Sequence, residues 1–208
     1  MVKNAIIFKA QVKGVRIMVA IILGAGMSKR MNRNKLLIKF KGKYLIEIII
    51  EKVLKCNFNE VILVYKDKEI KEIGEGYKIK TIFNADYYKG QSESIKIALK
   101  NIGSNEDFMF FTSDEPLLKI ESIKELLDTF KKNKGIIVPR VESGNKSPVI
   151  FESIYKKDLL KINGDVGGRD VIKGNRNNVT FLDFFDEDEF FDIDSEEDLE
   201  YIVKKYGK

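Results

Sequence analysis

Residues 17–37 read IMVAIILGAGMSKRMNRNKLL, and the interpretation of the chain starts from this stretch. The apolar run 17–23 has the pattern of a buried β-strand, and it stops at Gly24-Ala25-Gly26. The next positions carry one serine and four cations, Ser28, Lys29, Arg30, Arg33 and Lys35. Glycines let backbone amides approach phosphate oxygens, and cations neutralise phosphate charge, so the stretch predicts a polyanion site. A tight turn followed by a solvated basic loop would explain the same residues.

Strand and helix patterns alternate along the rest of the chain. Strands are expected over 17–23, 61–65, 79–83, 108–112, 136–139, 149–151, 179–184 and 190–193. Helices are expected over 44–55, 92–100, 121–132, 154–162 and 196–205. Residues 66–78 read as a polar segment, 164–170 as a glycine-rich loop and 186–189 as a solvated acidic turn. This order predicts an α/β domain with a mainly parallel sheet, in which ligands bind beyond the carboxyl ends of the strands.

Length and hydropathy favour a single domain. The chain has 208 residues, enough for one substantial core, and residues 18–208 are expected to form it. Residues 1–17 read as an N-terminal extension outside that core, since Met18 stands at the first convincing strand. No apolar run reaches the ~20 residues of a membrane span, and we expect a cytoplasmic protein without a membrane partner.

Two scarce residue types restrict the chemistry. The absence of histidine excludes a Ser–His–Asp triad, a histidine base and histidine-ligated metals. Cys56 is the single cysteine, so an internal disulfide is excluded, and its place at the end of a helical pattern predicts an inert packed thiol. Any metal should therefore be a hard, oxygen-ligated cation such as Mg²⁺. The net charge of +5 is modest, and without a basic stripe interleaved with aromatics we expect no nucleic-acid partner.

The loop after the first strand fits neither of two familiar phosphate-binding templates. A dinucleotide-binding Gly-x-Gly-x-x-Gly needs glycine at Lys29, and a P-loop needs Gly-Lys-Ser/Thr after four spacers. Residues 23–35 instead resemble Leu-Ala-Ala-Gly-x-Ser-x-Arg-Met-Gly-x-x-Lys, a signature of nucleotidyltransferases related to molybdenum-cofactor maturation. Gly24 replaces an alanine of that signature and Asn32 replaces a glycine.

Five later segments resemble the same family in the same order. They are 90–95 (GQSESI), 113–116 (SDEP, against Asp-Gln-Pro), 144–149 (GNKSPV), 164–169 (GDVGGR) and 192–199 (DIDSEEDL). From Met18 to the C-terminus the chain therefore resembles the molybdenum cofactor cytidylyltransferases of the MobA-like NTP transferase superfamily. The resemblance implies a Rossmann-like three-layer α/β/α nucleotidyltransferase fold.

The implied reaction transfers CMP from CTP to the phosphate of a molybdopterin-type cofactor and releases pyrophosphate. A phosphate monoester has a second pKa of about 6 and is already ionised at neutral pH, so the missing histidine is no obstacle. CTP is favoured over GTP because residues 23–28 read LGAGMS, where guanylyl-transferring relatives have Leu-Ala-Gly-Gly-x-Ala. The product would pass to a recipient molybdenum hydroxylase.

Two aspartates are the expected Mg²⁺ ligands. Asp114 and Asp194 each follow a predicted strand, and together they supply two hard oxygen ligands. Taken singly, Asp114 reads as a turn carboxylate, and Asp194 as a cap of the last helix with Ser195 as its rival. If Asp194 is not a ligand, Asp192 is the alternative for the second Mg²⁺ ligand.

Phosphate and acceptor contacts complete the expected site. Arg30 and Lys35 are assigned to the triphosphate and, with Asp114, to catalysis. The expected nucleotide-binding residues are Leu23, Gly24, Ala25, Gly26, Ser28, Arg30, Lys35, Ser92, Ser94 and Asp114. The expected acceptor-binding residues are Gly164, Asp165, Gly167 and Arg169. Two alternatives stay open: Arg169 in a salt bridge with Asp165 or Asp170, and Ser92 as a helix cap.

Three other functions compete with this interpretation. A sister enzyme would use GTP, or a sugar or alcohol phosphate as acceptor, and residues 164–169 argue against the second of these. A non-catalytic cofactor carrier or chaperone would keep the cleft without the chemistry, and the Asp114/Asp194 pair argues against it.

Overall fold

The computed structural model describes residues 17–28, 30–31 and 33–207. The predictions for residues 1–16, Lys29 and Asn32 therefore lie outside the described residues. The strands are β1 Met18–Gly24, β2 Lys39–Phe40, β3 Lys43–Tyr44, β4 Glu60–Tyr65, β5 Lys80–Phe83, β6 Asp107–Thr112, β7 Ile136–Val141, β8 Gly144–Asn145, β9 Val149–Phe151 and β10 Val179–Asp183.

Among the described residues, eight strands form one sheet of order β10-β7-β9-β6-β1-β4-β5, with β8 paired to β7. Strand β1 lies inside the sheet and pairs in parallel with β4 and β6. Strand β9 is antiparallel to both of its neighbours, and β2 and β3 form a separate antiparallel pair. The expected mainly parallel α/β sheet is confirmed.

Helices cover both faces of this sheet. They are α1 Leu45–Leu54, α2 Lys68–Gly76, α3 Gln91–Lys100, α4 Ile120–Asn133, α5 Lys156–Leu159, α6 Arg169–Gly174 and α7 Glu196–Tyr206. On β1, Ala20 and Ile22 pack with α1, α2 and α4, whereas Val19 and Ile21 pack with α3, α5 and α6. Side chains of a strand alternate between faces, so this continuous apolar run fills both cores. None of the helices that the structure describes is long and apolar enough to span a membrane.

Cys56 is packed as expected. It is buried just after α1, and its Sγ donates a hydrogen bond to the Lys52 carbonyl at 3.4 Å. Burial raises the pKa of this thiol, which disfavours the reactive thiolate. The prediction of an inert thiol therefore agrees with its surroundings.

Three predictions of local structure were wrong. Residues 66–78 contain α2, whose short length and two glycines hid its amphipathic pattern. Residues 190–193 form no strand: the Ile193 amide donates to the Asp114 carbonyl, and Phe190 ends a 3₁₀ turn, Glu187–Phe190. The acidic run 186–189 is not wholly solvated either, because Glu189 is buried.

Candidate active site

The carboxyl ends of β1 and β6 lie side by side and bring the loop that joins β1 to Lys35, here called the first loop, to Asp114. Leu23 is in register with Thr112, and the Ser113 hydroxyl donates to the Leu23 carbonyl at 2.8 Å. A cleft of about 470 Å³ opens at this edge. Its lining includes Leu23, Ala25, Gly26, Ser28, Arg30, Lys35, Ser94, Asp114, Asp165, Arg169, Asp192 and Asp194. Most of the residues expected around the ligand therefore converge on one cleft.

The side chain of Lys35 joins the two aspartates that were expected to bind metal. Its ammonium donates to Asp114 Oδ2 at 2.5 Å and to Asp194 Oδ1 at 2.7 Å. The side chains of Lys35 and Asp114 are only 11% and 15% exposed, and that of Asp194 is 38% exposed. One cation thus lies between two carboxylates that are 80 residues apart in the chain.

Charges in this cluster shift the neighbouring pKa values. Burial alone would lower the pKa of Lys35, but Asp114 and Asp194 outweigh it and the pKa is raised. Burial alone would raise the pKa of Asp194, but the hydrogen bond and charge of Lys35 and the charge of Arg30 lower it. For Asp192, burial and the charges of Asp114 and Asp194 outweigh the charge of Lys146, and the pKa is raised. Lys35 and Asp194 are therefore held in their charged forms.

These carboxylates fit a divalent cation. Asp114 Oδ1 is buried and has no hydrogen-bond partner among the described residues, so one ligand atom is left over. No cluster of three or more His, Cys, Asp or Glu side chains suited to a metal occurs in the described ranges. Mg²⁺ is usually held by one or two carboxylates together with substrate phosphates and water, so two aspartates are sufficient. Asp114 and Asp194 would hold the ion, and bound metal would neutralise charge on the phosphates.

The last helix leaves Asp194 available to the cleft. Ser195, not Asp194, caps α7: its Oγ accepts the Asp198 amide at 3.2 Å, and Asp198 Oδ2 accepts the Ser195 amide at 2.8 Å. Ile193 and Ile202 pack with Met31, Ile38, Phe40 and Leu45 in a third apolar cluster. This packing brings the start of α7 against the first loop, although more than 150 residues separate them.

Two arginines of the first loop, Arg30 and Arg33, have different surroundings. Arg30 Nη1 donates to Asp194 Oδ2 at 3.0 Å, and the Arg30 side chain is 74% exposed where it lines the cleft. Arg33 pairs with Glu196 through two hydrogen bonds and lies outside the cleft lining. Ser28 has a positive φ of 49°, and its Oγ accepts the Lys35 amide at 3.3 Å. This hydrogen bond ties the two ends of the loop together.

Two expected nucleotide-binding residues lie outside the cleft lining. A Cβ at Gly24 would lie 2.9 Å from Leu63 Cδ1 and 3.0 Å from the Val64 carbonyl oxygen, so this glycine serves strand packing. Ser92 is fully buried, and its Oγ has no hydrogen-bond partner among the described residues. Ser92 is not the helix cap either, because Gly90 occupies that position. Sequence matching could not separate these packing roles from binding roles.

Two residues at or just before the start of α3, Tyr87 and Gln91, line the cleft although sequence reasoning missed them. Ser94, which was expected, also lines the cleft and accepts a hydrogen bond from Asn84 Nδ2 at 2.9 Å. The signal for Gln91 was available, because it is the residue that follows Gly90 at a predicted helix start. Tyr87 lies in a 3₁₀ turn before that helix, and no residue pattern pointed to it.

Residues 164–169, the glycine-rich segment that was expected to bind the acceptor, are attached to the start of α3. Gly90 has a φ of 112°, and a Cβ there would lie 2.5 Å from the carbonyl carbon of Gly164. The Ser92 amide donates to the Gly164 carbonyl, and the Gln91 amide donates to Asp165 Oδ1, both at 3.1 Å. Gly164 lies outside the cleft lining, and Asp165 already has a structural partner. Only glycine at position 90 permits this approach.

Arg169 lies between the cleft and a second cavity of about 520 Å³, which Gly167 also lines. It is the first residue of α6, a helix that the glycine pattern had masked. Arg169 is exposed and forms no salt bridge within the part of the chain that the structure describes, neither with Asp165 nor with Asp170. Its guanidinium is therefore available to an anion at the junction of the two cavities.

The half-buried Lys52 holds the segment that follows Asp114. Lys52 Nζ donates to the Pro116 carbonyl at 2.5 Å. Glu189 Oε1 accepts the Lys119 amide at 3.0 Å, and its other oxygen lies 3.3 Å from Lys119 Nζ. Burial lowers the pKa of Lys52 to about 8 despite the opposing charge of Glu189.

This low pKa predicts a pH dependence. Between pH 8 and 10.5 the unfolded chain binds more protons at Lys52 than the folded protein, so stability should rise with pH. The free energy of unfolding of the wild type, relative to Lys52→Met, should increase by about 2 kcal/mol between pH 7 and 9.5. Urea unfolding at several pH values measures it. The control Lys55→Met, at an exposed position, should show no such trend, and a constant difference for Lys52→Met would contradict the assignment.

Comparison with known proteins agrees with this geometry. The MobA-like NTP transferase domain model matches residues 20–179. The chain belongs to the MobA-like NTP transferase family. The match includes most of β1, the first loop, Asp114 and residues 164–169, and it confirms the resemblance in the sequence. The chain is therefore a nucleotidyltransferase.

Individual relatives within and around this family differ in substrate. A protein named probable molybdenum cofactor guanylyltransferase, from Natranaerobius thermophilus, is 29% identical over 91% of this chain and 96% of its own length. A 3-deoxy-manno-octulosonate cytidylyltransferase from Francisella tularensis subsp. novicida is 28% identical over 68% of this chain and 56% of its own. The solved manganese complex of Rv0371c from Mycobacterium tuberculosis shares the fold, with a TM-score of 0.77, 17% identity, and coverage of 90% of this chain and 98% of that one.

Proposed function

We propose that this MobA-like NTP transferase transfers CMP from CTP to the phosphate of a molybdopterin-type cofactor and releases pyrophosphate. The observation that carries the proposal is the convergence of Lys35, Asp114 and Asp194 between the first loop and the second cavity. A carrier needs binding surfaces, but it has no need for two carboxylates and a buried ammonium at the cavity junction.

The reaction needs little covalent chemistry from the protein. An oxygen of the acceptor phosphate attacks the α-phosphorus of CTP, the bond to the bridging oxygen breaks, and pyrophosphate leaves with its electron pair. No proton has to be removed from an acceptor phosphate that is already ionised. Catalysis then depends on positioning the acceptor phosphate against the α-phosphate and on neutralising the charge that develops on the phosphates.

The chain's own residues have distinct parts in this proposal. Arg30, which lines the cleft and is largely exposed, would contact the triphosphate, and Lys35 would neutralise the leaving pyrophosphate. Asp114 and Asp194 would hold Mg²⁺, which supplies charge neutralisation at the phosphates when bound. Arg169, at the junction, would hold the acceptor phosphate close to the α-phosphate. Ala25 and Gly26, which line the cleft, would bring the backbone toward the nucleotide.

The choice of CTP rests on residues 23–28, LGAGMS, and GTP is the second candidate. GTP is favoured by the name of the Natranaerobius relative, which matches most of both chains. The two candidates share every assigned phosphate contact, so the test has to compare nucleotides directly.

Pyrophosphate release from CTP, GTP, ATP and UTP, with purified molybdopterin as acceptor, tests the proposal. We expect release with CTP and molybdopterin together, and none when either is omitted. A preference for GTP would overturn the nucleotide assignment alone. Release with a sugar or alcohol phosphate but not with molybdopterin would overturn the acceptor. Tight molybdopterin binding without release from any nucleotide would favour the carrier.

A further inference from the structure

Tyr87 is the one aromatic side chain among the described residues that line the cleft containing Lys35 and Asp114. It begins the 3₁₀ turn Tyr87–Lys89, just before α3, and 36% of it is exposed. The residues assigned to the nucleotide so far contact its phosphates or bring the backbone toward it. The nucleobase therefore has no assigned side chain, and Tyr87 has no assigned role.

The order of the strands places Tyr87 across the first loop from Asp114. Asp114 follows β6, the first loop follows β1, Lys66 follows β4 and Tyr87 follows β5, and these four parallel strands are neighbours in that order. Strands lie about 4.8 Å apart, so roughly 14 Å separates the ends of β6 and β5. A nucleotide whose α-phosphate lies near Asp114 can therefore extend its base toward Tyr87.

The second cavity extends in another direction. It shares Asp114 and Arg169 with the cleft, but Tyr87 is not part of its described lining. An acceptor that fills the second cavity with its phosphate at Arg169 therefore leaves Tyr87 to the nucleotide. Of the two flat ring systems that the reaction brings together, the nucleobase is the one that Tyr87 can meet.

The Tyr87 ring is held by contacts that begin at the first loop. Asn34 Nδ2 donates to Asp67 Oδ2 at 2.7 Å, and Lys66 Nζ donates to the same oxygen at 2.6 Å. Lys66 Nζ also lies 5.4 Å from the centre of the Tyr87 ring, within the range of a cation–π contact. A ring that is already held loses little further side-chain entropy when a ligand packs on it.

We propose that the nucleobase of the NTP stacks on the Tyr87 ring while its phosphates lie at the first loop. The proposal deepens the proposed function and rests on its placement of the triphosphate at Arg30 and Lys35. It does not depend on the choice between CTP and GTP or on the acceptor, because every base has a π face. It makes Tyr87 a binding residue for the base, with no part in the bonds that form and break.

Binding of three probes without any acceptor tests this role. The probes are the α,β-methylene analogues of CTP and GTP, in which the reacting bond is blocked, and inorganic tripolyphosphate, which has no base. In calorimetric titrations with Mg²⁺, Tyr87→Leu should bind both analogues about 5- to 50-fold more weakly, the lower part of the range for a base–aromatic stack. Its affinity for tripolyphosphate should not change. Tyr87→Phe keeps the ring and should bind all three probes as the wild type does.

Tyr88→Leu is the matched control. Tyr88 is the neighbouring tyrosine of the same turn, is 61% exposed and is not part of the cleft lining, so its replacement should leave all three affinities unchanged. Turnover gives a second measurement. Tyr87→Leu should raise KM for the nucleotide and leave kcat nearly unchanged, because stacking stabilises the bound substrate and the transition state alike.

A measurement on the wild type needs no substitution, so a folding defect cannot hide its result. The ultraviolet absorbance of each analogue should fall when it binds, as it does when a base stacks on an aromatic ring. No fall in absorbance would overturn the proposal.

The other outcomes are equally decisive. Analogue affinities that stay unchanged in Tyr87→Leu would overturn the stacking role, and so would a loss in Tyr87→Phe or Tyr88→Leu as large as that in Tyr87→Leu. Equal weakening of tripolyphosphate and the analogues would also overturn it, because Tyr87 would then act on the first loop through Lys66 and Asp67. A wild type that binds none of the three probes would overturn the proposed function itself, since the triphosphate site would then be misplaced.

Discussion

Asp114→Asn should lower the rate of pyrophosphate release by about 10²–10³-fold, the usual cost of removing one well-placed electrostatic group. Asparagine keeps the size of the side chain and removes the negative charge that Mg²⁺ needs. The buried Oδ1 atom that has no described partner would become an amide or a neutral carbonyl, neither of which replaces a carboxylate ligand. Asp194→Asn should produce a similar loss.

A direct metal titration separates this effect from misfolding. Mn²⁺ binding in the presence of a non-hydrolysable CTP analogue, followed by electron paramagnetic resonance, should weaken in both variants. Asp128→Asn removes an exposed carboxylate that pairs with Lys131 on α4, and it should leave metal binding and rate unchanged. Near-normal rates in both Asp114→Asn and Asp194→Asn would show that the metal site has been misplaced.

Lys35→Met should affect both turnover and the stability of the metal-free protein. Methionine keeps most of the aliphatic stem and removes the ammonium that lies between Asp114 and Asp194. Turnover should fall by about 10²–10³-fold, since one contact to the leaving pyrophosphate is lost. The free energy of unfolding should fall by about 3 kcal/mol, the lower end for a broken buried pair, because Asp194 is 38% exposed.

Mg²⁺ should stabilise Lys35→Met more than it stabilises the wild type. In the wild type Mg²⁺ has to compete with the Lys35 ammonium for the carboxylates of Asp114 and Asp194. In the variant the ammonium is absent, so Mg²⁺ binds these carboxylates without competition from it. Thermal unfolding with and without Mg²⁺ measures the difference. Lys39→Met, at an exposed lysine four positions away, is the matched control. An equal shift of Tm by Mg²⁺ in all three proteins would contradict the shared site.

Much of the fold could be predicted because it depends on local patterns. Local apolar patterns predict three elements correctly: the strand β1, the strand at 108–112 and the amphipathic helix at 121–132. Helix α2 was missed because it has only nine residues, two of them glycine, and so shows little of the apolar periodicity of a helix. The segment 190–193 was misjudged because Phe190 and Ile193 are apolar but enter two different cores, which a strand pattern does not distinguish.

Sequence order also predicted which residues meet in the cleft. It identified Arg30, Lys35, Asp114, Asp194 and Arg169, because charged or acidic residues that follow glycines and strand ends are recognisable one segment at a time. It assigned Gly24 and Ser92 to nucleotide binding, but both lie outside the cleft lining, because their roles depend on packing with neighbouring strands and helices. It passed over Tyr87, which reaches the cleft from a 3₁₀ turn that no motif marks.

The sequence by itself determined the parallel α/β architecture, the family and the chemical type of the first loop, since each depends on residues close together in the chain. Only the tertiary structure decided that Lys35 lies between Asp114 and Asp194. That contact requires β1 and β6 to pair in parallel, and it requires Ile193 and Ile202 to pack with Met31 and Leu45 so that α7 returns to the first loop. The glycines and cations of residues 24–35 predict a phosphate site, and long-range packing places two carboxylates, Asp114 and Asp194, beside Lys35 of that segment.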